Sequence, residues 1–362
     1  MGVQIPSYTQ NSFSKDKANK NTIVSTALSL SNRHPNTQVT LLEAAPTIPN
    51  PYGSSVDSSR IIRADYSNPT YAKLASEAVD LWRRTEWGHD GRYTQNGLML
   101  VYPDGNSTAK DYTTKSYHNV KHLGEKAQLL PTKADVLSAV PSYGETFNVA
   151  GGYVNWSSGW ADAEAGVRFV KEKLDREGKV RFVHGEVARL LFSKSDDRTV
   201  TGVVLNDPQQ TVMSADLVVL ATGAWTASLV DLRGRAVSTG QAIAYMRISD
   251  GEQRALENMP TVLNFATGIF IIPPRNNILK IARHAYGYHN PKTVNVPAKS
   301  SSSTKETMQV SLPEPGVPIP LEGETAFRDA LKHLLPAFAD RPFIDTRICW
   351  YTDTYVVVSS SS

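Results

Sequence analysis

The predicted helix at residues 22–32 and the strand behind it constrain the fold of this chain more than any other feature. The helical stretch carries apolar side chains among small residues, and residues 38–43 form a short β-branched run that ends at Glu43. A helix, a strand and a terminal carboxylate in that order make up the second half of a nucleotide-binding βαβ unit. There the carboxylate accepts hydrogen bonds from the ribose hydroxyls of an adenosine. The sequence therefore predicts an α/β layer with Glu43 at a ribose, the alternative being a solvated acid at a strand end.

The first half of that unit is not recognisable in the sequence. A dinucleotide site needs a strand and a G-x-G-x-x-G turn before the helix, because glycines let the backbone approach the pyrophosphate. The corresponding place here, residues 17–22, contains no glycine. Residues 1–21 are polar and poor in apolar side chains, so we expect them to form a disordered arm.

Composition and charge exclude several classes of protein. The chain has 362 residues, of which 40% are hydrophobic and 20% charged, as in globular proteins with room for two domains. Its 38 basic and 35 acidic residues are interspersed and leave a net charge of +3, which creates no field for nucleic acid. No stretch approaches the ~20 apolar residues that span a bilayer, and the first residues lack the apolar core of a secretory signal. We therefore expect a cytoplasmic protein with no nucleic-acid or membrane partner.

The remainder of the chain shows two successive patterns. Residues 162–177 predict an amphipathic helix that Asp162 caps and Gly178 ends, and short strands follow it. Residues 217–220 are all apolar, which is typical of a buried parallel strand. Alternating patterns after Ala224 predict a second, mostly antiparallel domain. The predicted division is a disordered arm at 1–21, a nucleotide-binding domain at 22–75 with 150–235 and 340–362, and a substrate domain at 76–149 with 236–339.

Two residues outside the nucleotide-binding pattern are candidates for chemistry. Cys349 is the single cysteine of the chain, so it is either an inert small hydrophobe or a reactive thiol. Lys280 alternates with apolar neighbours on the predicted strand 278–282, which indicates a solvent-facing lysine or a cation aimed into a site. His284 and His289 have no third ligand nearby in the sequence, so we predict no metal site.

Several segments in the same order resemble one known family. The run Arg347-Ile348-Cys349-Trp350-Tyr351-Thr352, with residues 39–43, 53–63 and 218–225, resembles the FAD-dependent amine oxidase family of monomeric sarcosine oxidase and fructosyl amino acid oxidase. The resemblance covers roughly residues 22–354 and is closest to the fungal fructosyl amino acid oxidases. It implies an α/β (α+β) fold, in which a Rossmann-like FAD-binding domain with a β-meander carries a mixed, largely antiparallel substrate domain.

The same resemblance implies roles for individual residues. Cys349 would form a thioether with the flavin, and Arg347 beside it would favour the thiolate form of its side chain. Lys280 would lie over the flavin and help its reduced form react with oxygen. Arg60 would contact the flavin and Arg63 the substrate carboxylate, side by side if their segment is helical. The further residues implied to contact FAD are Glu43, Ser59, Val187, Ala221, Thr222, Gly223 and Trp225.

The activity implied is oxidation of a secondary amine in an N-substituted amino acid, of fructosyl amino acid or sarcosine type, with hydrogen peroxide as product. Its partners would be a small amino-acid-derived substrate and oxygen, and the protein would be a monomer. Members of this family continue well beyond the position of Thr354, and some carry a peroxisomal address there, so a full-length form would be peroxisomal. Two alternatives stay open: an oxidase of saccharopine or pipecolate type, and an inactive flavoprotein remnant shortened at both ends.

Overall fold

The computed structural model describes residues 2–5, 22–196, 198–233, 235–285, 287–297 and 306–354, with only the backbone of 2–5 and of residue 22. The helices are α1 (Thr22–Arg33), α2 (Pro69–Arg84), α3 (Ser107–His122), α4 (Lys133–Ala139), α5 (Ala163–Glu177), α6 (Asp250–Leu256) and α7 (Leu321–Leu334).

The strands are β1 (Gly2–Ile5), β2 (Val39–Glu43), β3 (Arg60–Ile62), β4 (Tyr93–Thr94), β5 (Leu98–Tyr102), β6 (Ala127–Leu130), β7 (Gly151–Asn155), β8 (Gly159–Ala161), β9 (Val180–His184), β10 (Val187–Phe192), β11 (Val200–Leu205), β12 (Val212–Ser214), β13 (Leu217–Leu220), β14 (Ala236–Arg247), β15 (Thr261–Asn264), β16 (Ile269–Arg275), β17 (Ile278–Arg283), β18 (Pro291–Asn295), β19 (Thr307–Ser311) and β20 (Asp345–Thr354). Short 3-10 helices occupy Glu86–Gly88, Gly223–Ser228 and Pro336–Phe338.

The predicted nucleotide-binding layer is a four-stranded sheet in the order β13-β1-β2-β9. Strands β2 and β9 are parallel, with Glu43 opposite His184 at their carboxyl ends. Apolar side chains of α1 and α5 pack on the sheet around the fully buried Leu41. Helix α5 begins and ends as predicted, because the Asp162 side chain accepts from the backbone of its first turn and Gly178 adopts the left-handed conformation. The α/β prediction is therefore confirmed.

Two expectations for this sheet are wrong. Residues 2–5 form strand β1, which pairs antiparallel with both β2 and β13, although composition predicts an unstructured arm there. The rest of that arm lies outside the described residues. Strand β13 is not buried, since Leu217 is 50% exposed and the strand lies at an edge of the sheet. Apolar residues alone did not distinguish an edge strand from a central one.

The largest sheet has eight strands in the order β20-β14-β17-β16-β15-β5-β7-β6. Its neighbouring strands are antiparallel except for β15 and β5, which are parallel. Because side chains alternate along a strand, each face has its own residues. One face of β14 presents Ala242, Ala244 and Met246 to a large core that includes α7. Its other face presents Ile243 and Tyr245, which pack with residues of β17 and β20. This second face carries the candidate site.

Strands β7 and β20 belong to a different sheet from the one that the predicted domain boundaries assigned to them. Strand β20 pairs with β14 along its whole length, and β7 pairs with β5 and β6 in the same eight-stranded sheet. The sequence division had placed both strands with the nucleotide-binding domain. The three antiparallel strands β10-β11-β12 form the β-meander that the family resemblance implies. Across the described ranges, no helix combines the length and apolar character needed to cross a bilayer.

Helix α7 allows a test of the large core with two identical substitutions. Leu331 is fully buried in that core, whereas Leu321 on the same helix is 79% exposed. Replacing Leu331 with alanine should lower the free energy of unfolding by about 2–5 kcal/mol, because it removes packing contacts and leaves a cavity. Leu321→Ala should change it by less than about 0.5 kcal/mol. Urea unfolding measures both, and equal losses would contradict the packing of α7.

Candidate active site

A buried carboxylate connects the loop before β3 to the second face of the large sheet. The Asp57 side chain has 0% exposure, and its Oδ2 accepts a hydrogen bond from Lys280 Nζ at 2.6 Å. Lys280 also donates to the backbone carbonyl of Ser59 at 2.7 Å. Tyr245, which lies opposite Lys280 in the pairing of β14 with β17, donates its hydroxyl to Asp57 Oδ1 at 3.0 Å. Lys280 therefore points into a buried site and not to solvent.

The protonation states of Asp57 and Lys280 are set by their burial and by the charge of the partner. Burial by itself opposes ionisation of Asp57, but Lys280 and Arg60 outweigh it and hold the pKa of the carboxyl below its ordinary value. Burial lowers the pKa of Lys280 to about 8, against the opposing attraction of Asp57. At neutral pH the two groups form an ion pair, and the cation is lost at mildly alkaline pH.

Cys349 lies at the other side of the same carboxylate. Its thiol is buried, with 1% exposure, and accepts a hydrogen bond from Arg60 Nη2 at 3.0 Å. The same guanidinium nitrogen lies 3.3 Å from Asp57 Oδ2. We call Asp57, Arg60, Tyr245, Lys280 and Cys349 the Asp57 cluster. It joins β3, β14, β17 and β20.

Arg347 does not contact the thiol, so the expected pairing with Cys349 is wrong. Its Nη1 donates to the carbonyl of Val56 at 2.9 Å and thereby ties β20 to the loop that carries Asp57. Arg347 and Cys349 are two positions apart and lie on the same face of β20, but the Arg347 guanidinium is directed to the loop backbone, so sharing a face did not predict the contact. Arg60, 289 positions away in the sequence, takes that place.

Arg60 and Arg63 are separated because their segment is the strand β3 and not a helix. Arg63 donates to the backbone carbonyl of Asp65, and its guanidinium lies 4.3 Å from the centre of the Tyr66 ring. The expectation that the two arginines lie together is therefore wrong. Arg60 belongs to the Asp57 cluster, and Arg63 to a second polar group.

That second group surrounds the fully buried Asp65. Its carboxylate accepts hydrogen bonds from Tyr153 at 2.9 Å, Asn155 at 3.3 Å and Ser158 at 2.5 Å. Burial raises the pKa of Asp65, and these donors together with Arg63 only partly offset it. Asp65 thus fixes the backbone that holds Arg63.

The carboxyl ends of β2 and β9 bring Glu43 and Val187 to one edge of the nucleotide-binding layer. Glu43 Oε1 accepts from the backbone amide of Ala45 at 3.0 Å and from Asn50 at 2.9 Å. Its Oε2 is buried and has no hydrogen-bond partner among the described residues. The backbone amide of Gly185 donates to the carbonyl of Glu43 at 2.9 Å, and β10 begins two residues later at Val187. The Oε2 atom of Glu43 is therefore available to accept a hydrogen bond from a hydroxyl group.

The segment after β13 reaches the same region as β20. Ala221 and Thr222 lead into the 3-10 helix Gly223–Ser228, where Gly223 adopts a positive φ of 49°. Trp225 lines a cleft together with Tyr52 and Trp350. The cleft has a volume of about 350 Å³, which is within the usual range for small-molecule sites. The predicted residues 221–225 are thus close to the strand that carries Cys349.

Sequence analysis did not identify Asp57, Tyr245 or Asp65. The available signal was Asp57 itself, an acid three positions before Arg60 in a segment that was already singled out. Tyr245 and Asp65 gave no such signal, because their partners come from distant strands. Among the described residues, no group of three or more His, Cys, Asp or Glu is placed to hold a metal ion.

Comparisons with known proteins agree with this geometry. The sequence profile of the FAD dependent oxidoreductase (DAO) family matches residues 24–359. The chain is 28% identical to the amino acid oxidase imqH of Aspergillus flavus, over 91% of this chain and 80% of that protein. It is 25% identical to the L-saccharopine oxidase of Schizosaccharomyces pombe, over 91% and 77%. The crystal structure of a thermally stable mutant of fructosyl peptide oxidase superposes with a TM-score of 0.80 at 25% identity, covering 91% of this chain and 77% of that one.

The burial of Cys349 predicts slow reaction with a thiol reagent. In the native protein the disulfide reagent DTNB should modify Cys349 slowly, because only 1% of the residue is exposed. In guanidinium chloride, chain that carries no linked flavin should give one equivalent of thiol at once. A matched control is Ser107→Cys, at an exposed position at the start of α3, in a Cys349→Ser background. Its thiol should react rapidly in the native state, and equally rapid reaction of native Cys349 would contradict the site.

Proposed function

This chain belongs to the DAO family of FAD-dependent oxidoreductases, and from that premise we propose that it oxidises the secondary amine of an N-substituted amino acid. Fructosyl amino acids and sarcosine-like compounds are the substrates we propose, with hydrogen peroxide as product. The similarity to an amino acid oxidase and to a fructosyl peptide oxidase supports this substrate class. FAD supplies the chemistry when bound, since it accepts two electrons and a proton from the C–H bond beside the nitrogen and passes them to oxygen.

The described residues fit the adenosine part of FAD. The Oε2 atom of Glu43 is a buried acceptor that lacks a partner among them, as a ligand of a ribose hydroxyl requires. The pairing of β2 with β9 places His184 opposite Glu43, and Val187 follows three residues later at the start of β10. We propose that Glu43 and Val187 hold the adenosine, and that Ala221, Thr222 and Gly223 let the backbone approach the cofactor closely. Residues 6–21, between β1 and α1, where a phosphate-binding turn would be expected, lie outside the described part.

The Asp57 cluster fits the flavin part. The buried Nε of Arg60 has no hydrogen-bond partner among the described residues, so a donor is available beside the thiol. Arg60 Nη2 donates to the Cys349 sulfur at 3.0 Å and so fixes its position. We propose that Cys349 forms a thioether to a methyl carbon of the flavin, with Arg60 positioning the sulfur. The C–S bond would replace the thiol S–H bond and one methyl C–H bond, the two protons would leave to solvent, and the two electrons would pass to the flavin and from it to oxygen. Lys280 is proposed to supply a positive charge where oxygen is reduced, Ser59 and Trp225 to border the flavin, and Arg63 to bind the substrate carboxylate.

The single observation that carries the proposal is the convergence of Lys280 and Arg60 on one buried carboxylate, with Cys349 on the same guanidinium, in a chain of this family. The experiment is purification followed by acid precipitation. We expect a yellow pellet from the wild-type protein and a colourless pellet with a yellow supernatant from Cys349→Ser. A native protein that contains no flavin would favour the inactive remnant and overturn the proposal.

A peroxide assay then identifies the substrate class. The panel contains sarcosine, fructosyl-valine, fructosyl-lysine, saccharopine and pipecolate. Peroxide from the first three supports the proposal. Peroxide from saccharopine or pipecolate alone would select the alternative suggested by the L-saccharopine oxidase similarity. A flavin-loaded protein that produces peroxide with none of the five would contradict the proposed substrate class.

The role of Glu43 can be measured separately from the covalent link. In a Cys349→Ser background, Glu43→Gln should weaken FAD binding by about 10- to 100-fold, because a charge-assisted hydrogen bond to a hydroxyl is lost. Glu186→Gln is the matched control, since Glu186 is exposed in the turn between β9 and β10 and accepts from Asn206. Flavin fluorescence titration gives both affinities. Equal affinities for the two variants would exclude Glu43 as a ligand.

A further inference from the structure

The Asp57 carboxylate uses both of its oxygens on groups from three strands. Oδ2 lies 2.6 Å from Lys280 Nζ and 3.3 Å from Arg60 Nη2, and Oδ1 accepts from Tyr245 at 3.0 Å. A carboxylate with 0% exposure is unfavourable unless it is paired and hydrogen-bonded. Here it is both, so Asp57 is held in one position by the strands β3, β14 and β17.

Lys280 depends on this one carboxylate for its charge. The titratable groups that face it are Asp57 and Arg60 from the segment before and in β3, Tyr245 from β14, and Cys349 from β20. On its other side β16 presents the apolar Ile272. Arg60 repels the ammonium group, and desolvation opposes its charge. Without Asp57, a buried lysine beside a guanidinium would be neutral.

The position of Lys280 depends on the same contact. Its ammonium group donates to Asp57 Oδ2 and to the carbonyl of Ser59, both of which belong to the loop that leads into β3. Asp57 also pairs with Arg60 Nη2, and the same nitrogen donates a hydrogen bond to the thiol of Cys349. One carboxylate therefore sets the place of both cations that face the proposed flavin site.

We propose that Asp57 is a positioning residue that keeps Lys280 charged and aimed at the place where oxygen is reduced. The proposal rests on the function proposed above for Lys280. It goes beyond that function, because it assigns control of the lysine to a residue that does not itself contact substrate or oxygen. In the variant Asp57→Asn the amide oxygen can still accept from Lys280, and the amide NH2 can donate to the hydroxyl of Tyr245, while the negative charge is removed.

The experiment measures the titration of Lys280 directly in the purified full chain. Lysine labelled with ¹³C at Cε gives an NMR signal that shifts with protonation, and the signal of Lys280 is the one missing from Lys280→Met. In the wild-type protein the midpoint should lie near pH 8, the pKa that burial gives this lysine. In Asp57→Asn it should move down by about one to three pH units, because an opposite charge in contact is lost. An unchanged midpoint would overturn the proposal.

Asp65→Asn is the matched control, because Asp65 is also fully buried and hydrogen-bonded but contacts Tyr153, Asn155 and Ser158 instead of Lys280. In Asp65→Asn the titration midpoint of Lys280 should equal that of the wild-type protein. An equal shift in both variants would indicate a general structural effect and would contradict a specific role of Asp57. Should Asp57→Asn not fold, the reciprocal measurement decides: in Lys280→Met the ¹³C-labelled carboxyl of Asp57 should titrate at higher pH than in the wild-type protein. No change there would also overturn the proposal.

The flavin-loaded enzyme supplies a second readout. Its kcat/KM for oxygen should fall as the pH rises through the range in which Lys280 loses its proton. Asp57→Asn should move this fall to lower pH. Failure of this proposal and failure of the proposed function are distinguishable. A chain that binds no FAD contradicts the function, while the NMR titration still tests Asp57. An active oxidase with an unchanged Lys280 midpoint contradicts this inference alone.

Discussion

The candidate site depends on one interaction, the ion pair of Asp57 with Lys280 in the interior of the protein. A buried carboxylate requires partners, and the chain supplies them from β3, β14 and β17. Because Arg60 also contacts the thiol of Cys349, the same pair places the single cysteine of the chain beside two cations. Removal of Asp57 would leave Lys280 buried without its counter-charge, and removal of Lys280 would leave Asp57 with Arg60 as its remaining cation, so either change is costly.

The architecture explains why this pair can exist. The eight-stranded sheet has two buried faces, and one packs on α7 through an apolar core, beside which Arg283 of β17 pairs with Glu322 of α7. The other face is covered by the loop and strand around Asp57, so Lys280 is removed from solvent without being inserted into an apolar core. A cation shielded from water in this way acts more strongly on developing negative charge than one in solvent, as the role proposed for Lys280 requires. The nucleotide-binding layer contributes Glu43 and Val187 at a separate edge.

Local sequence patterns predicted the elements well. Capping by Asp162 and the stop at Gly178 defined α5, and Glu43 ends strand β2 at the carboxyl edge of a parallel pair, as its position after a β-branched run predicted. The same kind of reasoning failed for Arg60, which begins strand β3, and for Arg63, which directly follows it, because helical spacing does not apply to an extended segment. It also failed for β13, because an apolar run does not reveal whether a strand lies at the edge of a sheet.

The sequence by itself determined the α/β layer, the antiparallel second half and the residue types Glu43, Lys280 and Cys349, because periodicity, caps and motif order are local properties. Only the tertiary structure decided which charges meet. Asp57 and Lys280 are 223 positions apart, and Arg60 and Cys349 are 289 apart. Their contacts follow from strand pairing and from which face of a sheet a loop covers, and neither is encoded in any short stretch of residues.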